Sequence, residues 1–473
     1  MTRTSSQNKI ARAPFASLRL CEKFILTPRR KGAKQIAREL IVCALAMWLL
    51  LSVAPVVKVA ARQGTETALE LFKAVDAYPQ RRREELRAQG KRIDPETGEK
   101  IAKEQRDLAA QNAARLAAHA TLTADDLYYL GLLYNFAAKR DEALDALRRF
   151  LAVRGAPASG AAVQLARTFV AIYAAQTKQF DEAERSLSAF LAAEPKTPYK
   201  LYQIELELGL AYQKAKQYDR AAEHAGEALR LAKTFKPQDI PTGARRETLV
   251  FDAGDALAEI YSAAKRKDDA LAAIVELHRL SLTLPSANLY ALLRHKYADK
   301  QGEIERALDA VGANESATPP PELNVSEWLD ATPARLADLR GQVVLLDFWY
   351  EWCGPCRATF PTLAGWQKKY KDKGLVVIGL TDLQRTLAGD AEKSRDDKLE
   401  YLRKFKRDEK MTYAVAVAEK LSDNLTAYGV SVFPTSMLID RRGTVRFIGV
   451  GMSPPEMNRL GEMIEKLVKE PAP

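Results

Sequence analysis

Two cysteines lie three positions apart in the segment DFWYEWCGPCRATFP, residues 347–361. On a helix, this spacing places Cys353 and Cys356 on the same face. The pair therefore suits three uses: disulfide exchange, half of a metal site, or an inert structural disulfide. In disulfide exchange, one thiolate attacks a disulfide and the second thiol resolves the mixed disulfide. The rest of the chain has to decide among these uses.

The remaining cysteines argue against a metal site and against a disulfide scaffold. The other two, Cys21 and Cys43, lie near the N-terminus, and no second CxxC or CxxH follows. A structural zinc site needs four ligands, and four cysteines in 473 residues are too few for a disulfide-stapled fold. We therefore expect no metal, and no cofactor other than a redox-active disulfide between Cys353 and Cys356.

Length and charge predict several domains and no nucleic-acid binding. A chain of 473 residues exceeds one ordinary hydrophobic core. The formal net charge is +11, but residues 1–39 hold ten Lys and Arg against two Glu and so carry +8 of it. Only about +3 is left for the rest of the chain. A nucleic-acid-binding domain concentrates basic residues on one folded face, and no such cluster follows the leader.

An apolar stretch follows the basic leader. Residues 40–57, LIVCALAMWLLLSVAPVV, are eighteen residues without a charge, close to the roughly 20 that cross a bilayer. The basic flank should stay in the cytoplasm, so we expect residues 40–61 to anchor the chain in a bacterial inner membrane, with its C-terminal bulk in the periplasm. The alternative is a signal segment cleaved after Val59-Ala60-Ala61, followed by secretion. In either extracytoplasmic space, disulfides form and persist, so a cysteine pair can take part in disulfide exchange.

The middle of the chain predicts helices in a repeating pattern. Residues 62–124 are expected to form a charged helical spacer, and residues 125–311 contain four copies of a motif spaced 38 to 49 residues apart. In each copy a small residue precedes an alanine by twelve positions: Gly131/Ala143, Ala171/Ala183, Gly209/Ala221 and Ala258/Ala270. The pattern resembles tetratricopeptide repeats, which implies an all-α solenoid. We expect its concave surface to bind a protein or peptide partner; the alternative is that the array is only a rigid arm or a dimer interface. Four histidines are expected to be solvent or packing residues: His119, His224, His278 and His295.

After a breaker-rich linker at residues 312–322, the periodicity changes to that of an α/β domain over residues 323–473. Short apolar runs predict strands at 343–349 and 375–380, and a hairpin at 435–440 and 444–451. Helices are expected between and after them, near 356–370, 390–407, 418–428 and 454–469. The predicted fold class is therefore multidomain: a membrane helix, an α-helical solenoid and a C-terminal α/β domain.

The segment DFWYEWCGPC resembles the active-site segment of thioredoxin. Its flanks, LADLRGQVVLLDFW and YGVSVFPTSMLIDRRGTVRFIGVG, are similar to the membrane-tethered thioredoxins of the TlpA and ResA group. The resemblance covers residues 320–470 and implies a thioredoxin fold. Cys353 should lie at a helix N-terminus, where backbone N–H groups stabilise a thiolate, and should attack a disulfide that Cys356 then resolves. Gly354 and Pro355 should shape the turn, and Trp352 should shield the pair.

The resemblance also implies roles for residues outside the CxxC motif. Asp347, on the strand behind the cysteines, would be the buried acid that accepts the proton of Cys356, with a pKa raised by burial. Pro434 matches the cis-proline that faces the disulfide. Phe433 and Thr435, on either side of it, would face the substrate. Pro361, five residues past the second cysteine, fits the same pattern.

These observations predict an extracytoplasmic, membrane-anchored thiol-disulfide oxidoreductase that reduces protein disulfides, with a partner held on the repeats. Two alternatives remain: a non-enzymatic scaffold, and a disulfide oxidase or isomerase. The intact CGPC motif argues against the scaffold, and the reduction potential separates the oxidase from the reductase. A peroxidase is disfavoured because the related peroxidases generally use a lone reactive cysteine in a different motif.

Overall fold

The computed structural model describes residues 66–153, 159–311, 319–384 and 394–471. The predicted leader (1–39) and membrane segment (40–61) lie outside these ranges. Among the described residues, no helix combines the length and the apolar character needed to cross a membrane.

The N-terminal part of the described chain is helical. Its thirteen α-helices are α1 (Ala68–Asp76), α2 (Tyr78–Ala88), α3 (Pro95–Ala117), α4 (Ala124–Phe136), α5 (Arg140–Ala152), α6 (Gly160–Gln176), α7 (Phe180–Leu191), α8 (Pro198–Lys214), α9 (Tyr218–Thr234), α10 (Arg246–Ala263), α11 (Lys267–Thr283), α12 (Ala287–Lys296) and α13 (Gln301–Val311). The expected charged spacer does not stand apart, because Leu71 of α1 and Leu116 of α3 share a core with Leu133 of α4. Helices α1 and α3 bury one apolar face against α4 and so pack directly on the repeats.

Four helix pairs, from α4/α5 to α10/α11, share one turn geometry. Each turn contains a residue in the left-handed region, with φ between 56° and 62°: Ala138, Lys178, Lys216 and Lys265. In the first turn, the next backbone N–H, that of Lys139, donates back to the carbonyl of Tyr134 at 2.9 Å, as in a common helix C-terminal motif. The repeated helix pairs predicted from the sequence are therefore present, whereas their kinship with tetratricopeptide repeats stays a prediction.

Small residues let the paired helices approach closely, as expected. A Cβ on Gly209 would lie 3.1 Å from the backbone nitrogen of Ala225 and 3.2 Å from the carbonyl oxygen of Ala221. Nearby, His224 is a buried residue rather than a solvent one, with its ring nitrogens 2.6 Å from Glu205 and 3.1 Å from Glu184. Burial lowers the pKa of His224, but the two glutamates outweigh burial and raise it overall.

The predicted C-terminal α/β domain is confirmed, whereas its bounds at residues 323–473 stay a prediction. Its elements are β1 (Glu327–Leu329), β2 (Val343–Phe348), α14 (Gly354–Tyr370), β3 (Leu375–Asp382), α15 (Arg395–Asp408), β4 (Ala414–Ala418), α16 (Ser422–Ala427), β5 (Thr435–Ile439), β6 (Val445–Val450) and α17 (Pro454–Leu467). The six strands form one sheet in the order β1-β4-β3-β2-β5-β6. The sequence did not predict β1 as a strand and did not delimit β4, because both are short.

Strand β2 lies inside the sheet, parallel to β3 and antiparallel to β5. All six of its residues are buried, which explains why the sequence VVLLDF is apolar on both faces apart from Asp347. Helix α14 follows β2 after a short turn, so the first turn of α14 lies at the carboxyl edge of the sheet. This strand-to-helix junction positions the CxxC pair.

The helical array contacts the α/β domain at the loop that precedes Pro434. The first turn of α12 donates backbone N–H groups to that loop: Ala287 to the carbonyl of Tyr428 at 3.1 Å and Asn288 to the carbonyl of Gly429 at 2.7 Å. These helix N-terminal groups have no partner within their own helix. Arg459 of α17 also pairs with Glu305 of α13 at 2.9 Å. The array therefore holds the backbone that leads into Pro434.

Candidate active site

Cys353 and Cys356 form a disulfide at the N-terminus of α14, with their Cα atoms 5.3 Å apart. Cys353 is the N-cap residue of α14, and the backbone N–H of Cys356 donates to its sulfur at 3.3 Å. This N–H and the helix dipole would stabilise a thiolate on Cys353. Cys353 is 6 % exposed and Cys356 is fully buried, so the more accessible sulfur is the one expected to attack.

Pro355 lies in the first turn of α14, as predicted, directly after Gly354, where the helix begins. Proline suits this position because its missing N–H would have no helical partner. Pro361 lies within the same helix, one turn and a half further along. The turn residues therefore lie where the sequence places them.

An aromatic cluster borders the disulfide. The ring of Trp352 stacks on Tyr350 at a centroid distance of 4.9 Å, and Tyr350 packs edge-on against Phe433 at 4.8 Å. Trp352 is 48 % exposed and Val432 is 46 % exposed, which makes both of them large apolar side chains in contact with solvent. Sequence reasoning missed Tyr350 and Val432. An aromatic residue three positions before Cys353 was the available signal for Tyr350.

The loop before β5 has the predicted cis peptide bond between Phe433 and Pro434. Thr435, however, does not face a substrate. Its side chain is buried, and its hydroxyl donates to the carbonyl of Val432 at 2.7 Å. This corrects the prediction for Thr435: its hydroxyl closes the loop, and Val432 takes the exposed position.

Asp347 lies on β2 and is completely buried. It is paired across the sheet with Ser436 of β5, whose hydroxyl donates to Oδ1 of Asp347 at 2.6 Å. Burial raises the pKa of Asp347 to about 7, and the hydrogen bond from Ser436 opposes that shift. Sequence reasoning missed Ser436, although a serine within the apolar strand TSMLI was a usable signal. Glu351, a second buried carboxyl group missed from the sequence, lies two residues before Cys353.

Helix α14 covers the sheet face that carries Asp347. Phe360 of α14 packs edge-on against Trp349 at a centroid distance of 5.2 Å, and Trp349 is two residues beyond Asp347 on the same side of the strand. Cys356 lies one helical turn before Phe360, on the same side of α14. The resolving sulfur and the buried carboxyl group therefore belong to one layer between helix and sheet. Within the described ranges, no group of three or more His, Cys, Asp or Glu side chains could hold a metal ion.

Comparisons with known proteins match this domain. A model of the AhpC/TSA family matches residues 315–448. The thioredoxin-like protein YneN of Bacillus subtilis is 32 % identical over 134 residues, which are 28 % of this chain and 70 % of YneN. The chain belongs to the thioredoxin-like family through the domain that the AhpC/TSA model matches. The predicted enzyme class, a thioredoxin-like thiol-disulfide oxidoreductase with a CxxC pair, is confirmed.

Other relatives have more specific names. The thiol-disulfide oxidoreductase ResA of Bacillus anthracis is 32 % identical over 117 residues, 25 % of this chain and 60 % of that protein. Protein DipZ of Mycobacterium tuberculosis is 29 % identical over 181 residues, 37 % of this chain and 24 % of DipZ. Among solved structures, a thiol:disulfide interchange protein DsbE from Chlorobium tepidum shares 33 % identity over 32 % of this chain and 95 % of its own, with a TM-score of 0.27. The chain thus spans about a quarter of DipZ and under two thirds of ResA.

Proposed function

We propose that this protein is an extracytoplasmic, membrane-anchored reductase of protein disulfides, and that its helical array holds the client near the redox site. The observation that carries the proposal is the disulfide at the N-terminus of α14, with a buried carboxyl group of raised pKa in the layer beneath it. The relatives named as thiol-disulfide oxidoreductases support the chemistry. The apolar stretch at residues 40–57 and its basic flank support the membrane anchor.

The reaction begins from the reduced pair. The thiolate of Cys353 attacks one sulfur of a client disulfide, forms a mixed disulfide and releases a client thiolate. Cys356 then gives its thiol proton to the Asp347 carboxylate and attacks Cys353. The Cys353–Cys356 disulfide forms, the second client sulfur leaves, and the client has gained two electrons. A dithiol donor must then return two electrons to the enzyme.

Asp347 suits the proton transfer because its pKa of about 7 lies near ambient pH. A carboxyl group that titrates in this range can both accept and return a proton. The more accessible Cys353 fits the attacking role, and the exposed side chains of Trp352 and Val432 provide an apolar rim for the client.

The array is proposed to bind the client beside this rim. A groove of about 750 Å³ runs between the loop joining α9 and α10 and the α16 region of the redox domain. Ile240 and Pro237 line one wall, and Leu425 and Val430 line the other. Val430 lies four residues before Pro434. A segment of client chain in this groove would lie along the same loop that faces the disulfide.

The reduction potential of the Cys353–Cys356 pair tests the direction of electron flow. Full-length protein would be equilibrated in dithiol–disulfide buffers and followed by tryptophan fluorescence, because Trp352 adjoins the pair. We expect a value near the roughly −270 mV of thioredoxin. A value near about −120 mV would instead support a disulfide oxidase. A pair that never cycles would support the non-enzymatic scaffold.

A matched pair of variants tests the array. Ile240→Asp places a charge in the groove, whereas Leu191→Asp places one at an exposed position on α7. We expect Ile240→Asp to slow the reduction of insulin disulfides several-fold while exchange with a small aromatic disulfide is unchanged. Leu191→Asp should affect neither reaction. Equal insulin rates for all three proteins would contradict client binding in the groove.

A further inference from the structure

Polar atoms on one face of the sheet surround Asp347. The register pairs Asp347 of β2 with Gly379 of β3, and Gly379 with Val415 of β4. Because side chains alternate along a strand, residues two positions from these lie on the same face. That face therefore carries Asp347, Trp349, Thr381 and Tyr413.

Four buried side-chain atoms on this face have no hydrogen-bond partner among the described residues. They are Oδ2 of Asp347, the hydroxyl of Tyr413, Nε1 of Trp349 and Oγ1 of Thr381. Buried polar groups are costly unless they are hydrogen-bonded. Four of them in one place is an arrangement that apolar packing does not explain, and one of the four belongs to the acid of the proposed mechanism.

Gly379 makes room for this group. A Cβ on Gly379 would lie 2.8 Å from Nε1 of Trp349 and 3.2 Å from Cε2 of Tyr413. The two rings therefore occupy the space above the residue that pairs directly with Asp347. Strand β3 separates β2 from β4, and adjacent strands are about 4.8 Å apart. The Tyr413 ring spans part of this separation because it lies over Gly379 of β3, on the sheet face that carries Asp347. Burial and the Asp347 carboxylate hold the pKa of Tyr413 well above its usual range, so the phenol keeps its proton and remains a donor.

We propose that Tyr413 is a positioning residue for the resolving step: its hydroxyl donates a hydrogen bond to Oδ2 of Asp347 when that carboxyl group is ionised. The inference rests on the proposed function, in which Asp347 accepts the proton of Cys356. Ser436 binds one carboxylate oxygen from β5, and Tyr413 binds the other from the segment before β4. Among the described residues, the charge of Asp347 acts on Tyr413, and Cys356 of α14 lies in the same layer between helix and sheet. Two donors keep a fully buried acid ionisable near neutral pH.

The test measures the resolving step in full-length protein. Reaction of the reduced enzyme with an aromatic disulfide reagent, dithiobis(nitrobenzoate), forms a mixed disulfide at Cys353. The release of the second chromophoric thiol reports the attack by Cys356, and its rate should rise with pH as Asp347 ionises. Loss of a donor to the carboxylate raises the pKa of the acid. We expect Tyr413→Phe to move the inflection upward by about one pH unit, which slows release about fivefold at the wild-type inflection.

Controls separate this inference from the proposed role of Asp347. Tyr401→Phe removes the hydroxyl of a tyrosine on α15 and should leave the inflection unchanged. Asp347→Asn should abolish the inflection, and Tyr413→Phe should have no further effect on the profile in that background. A normal inflection in Asp347→Asn would refute the role of Asp347. Loss of the inflection in Asp347→Asn together with a wild-type inflection in Tyr413→Phe would refute the role of Tyr413 alone.

Gly379→Ala provides a second variant in case Tyr413→Phe does not fold. The added Cβ displaces the Tyr413 ring without removing its hydroxyl, so the inflection should move in the same direction. Gly365→Ala on α14, where a Cβ meets nothing within 4 Å, is its control. An inflection that stays in place when the ring is displaced would overturn the inference.

Discussion

Asp347→Asn should stabilise the oxidised protein, and the gain should grow with pH. The pKa of Asp347 is about 7 in the folded chain against 3.8 for the unperturbed carboxyl group. The folded state therefore holds this proton more tightly than the unfolded state. For such a raised carboxyl pKa, its contribution to stability is full below pH 3.8, falls as the pH rises and levels off above about pH 7.

The magnitude follows from the size of the shift. Each pKa unit corresponds to about 1.4 kcal/mol, so at pH 8 the buried charge costs about 4 kcal/mol. At pH 5 only the first unit or so of the shift has been titrated, and the cost is about 1.6 kcal/mol. Asparagine avoids this cost and can still accept the hydrogen bond from Ser436. The stabilisation by Asp347→Asn should therefore be larger at pH 8 than at pH 5 by about 2–3 kcal/mol.

Urea unfolding at the two pH values, followed by tryptophan fluorescence, measures this difference. Four of the five tryptophans lie in the redox domain, at positions 328, 349, 352 and 366, so the signal reports that domain. Asp372→Asn, at an exposed position after α14, is the matched control and should show no such pH dependence. A stabilisation by Asp347→Asn that is equal at pH 5 and pH 8 would refute a raised pKa for Asp347.

Three further changes test other parts of the structure. Cys356→Ser should leave attack by Cys353 intact and accumulate the mixed disulfide on non-reducing gels; rapid turnover in this variant would exclude the two-cysteine mechanism. The raised pKa of His224 stabilises the folded state fully below the unfolded pKa near 6.5, and this stabilisation is lost as the pH rises. His224→Gln should therefore lower the urea midpoint of the helices more at pH 6 than at pH 9. The control, His119→Gln, should show no such difference. Gly429 has φ of +55°, and a Cβ there would meet Ser286 Oγ at 2.6 Å. Gly429→Ala should therefore lower the free energy of unfolding by more than Gly341→Ala, where φ is +85° and nothing lies within 4 Å of the added Cβ. Equal losses of stability would show that the contact with α12 contributes nothing.

Most of the site residues predicted from the sequence belong to local motifs. The cysteine pair, its turn, Asp347 and the cis-proline all lie within short segments whose residues identify their neighbours. Ser436 and Tyr413 were missed because their positions relative to Asp347 depend on how β2 pairs with β5 and β3, and on how β3 pairs with β4. The hydrogen bond from Ser436 joins residues 89 positions apart. Thr435 was assigned wrongly because its position beside Pro434 does not reveal which way its side chain points. The hydrogen bond to Val432 decides that direction.

The least predictable feature is the contact between the array and the redox domain. Ser431 donates a hydrogen bond to Asn288, and the two residues are 143 positions apart in the sequence. No local sequence pattern indicates a contact over such a separation. Its consequence concerns the client. Under the proposed function, a client disulfide approaches Cys353 past the exposed side chains of Trp352 and Val432. The backbone of the loop that carries Val432 is held by the first turn of α12. A client segment bound in the adjoining groove would raise the local concentration of its disulfide at Cys353. Under the proposed function, the helical array is therefore part of the surface that selects the client, and not only a tether for the redox domain.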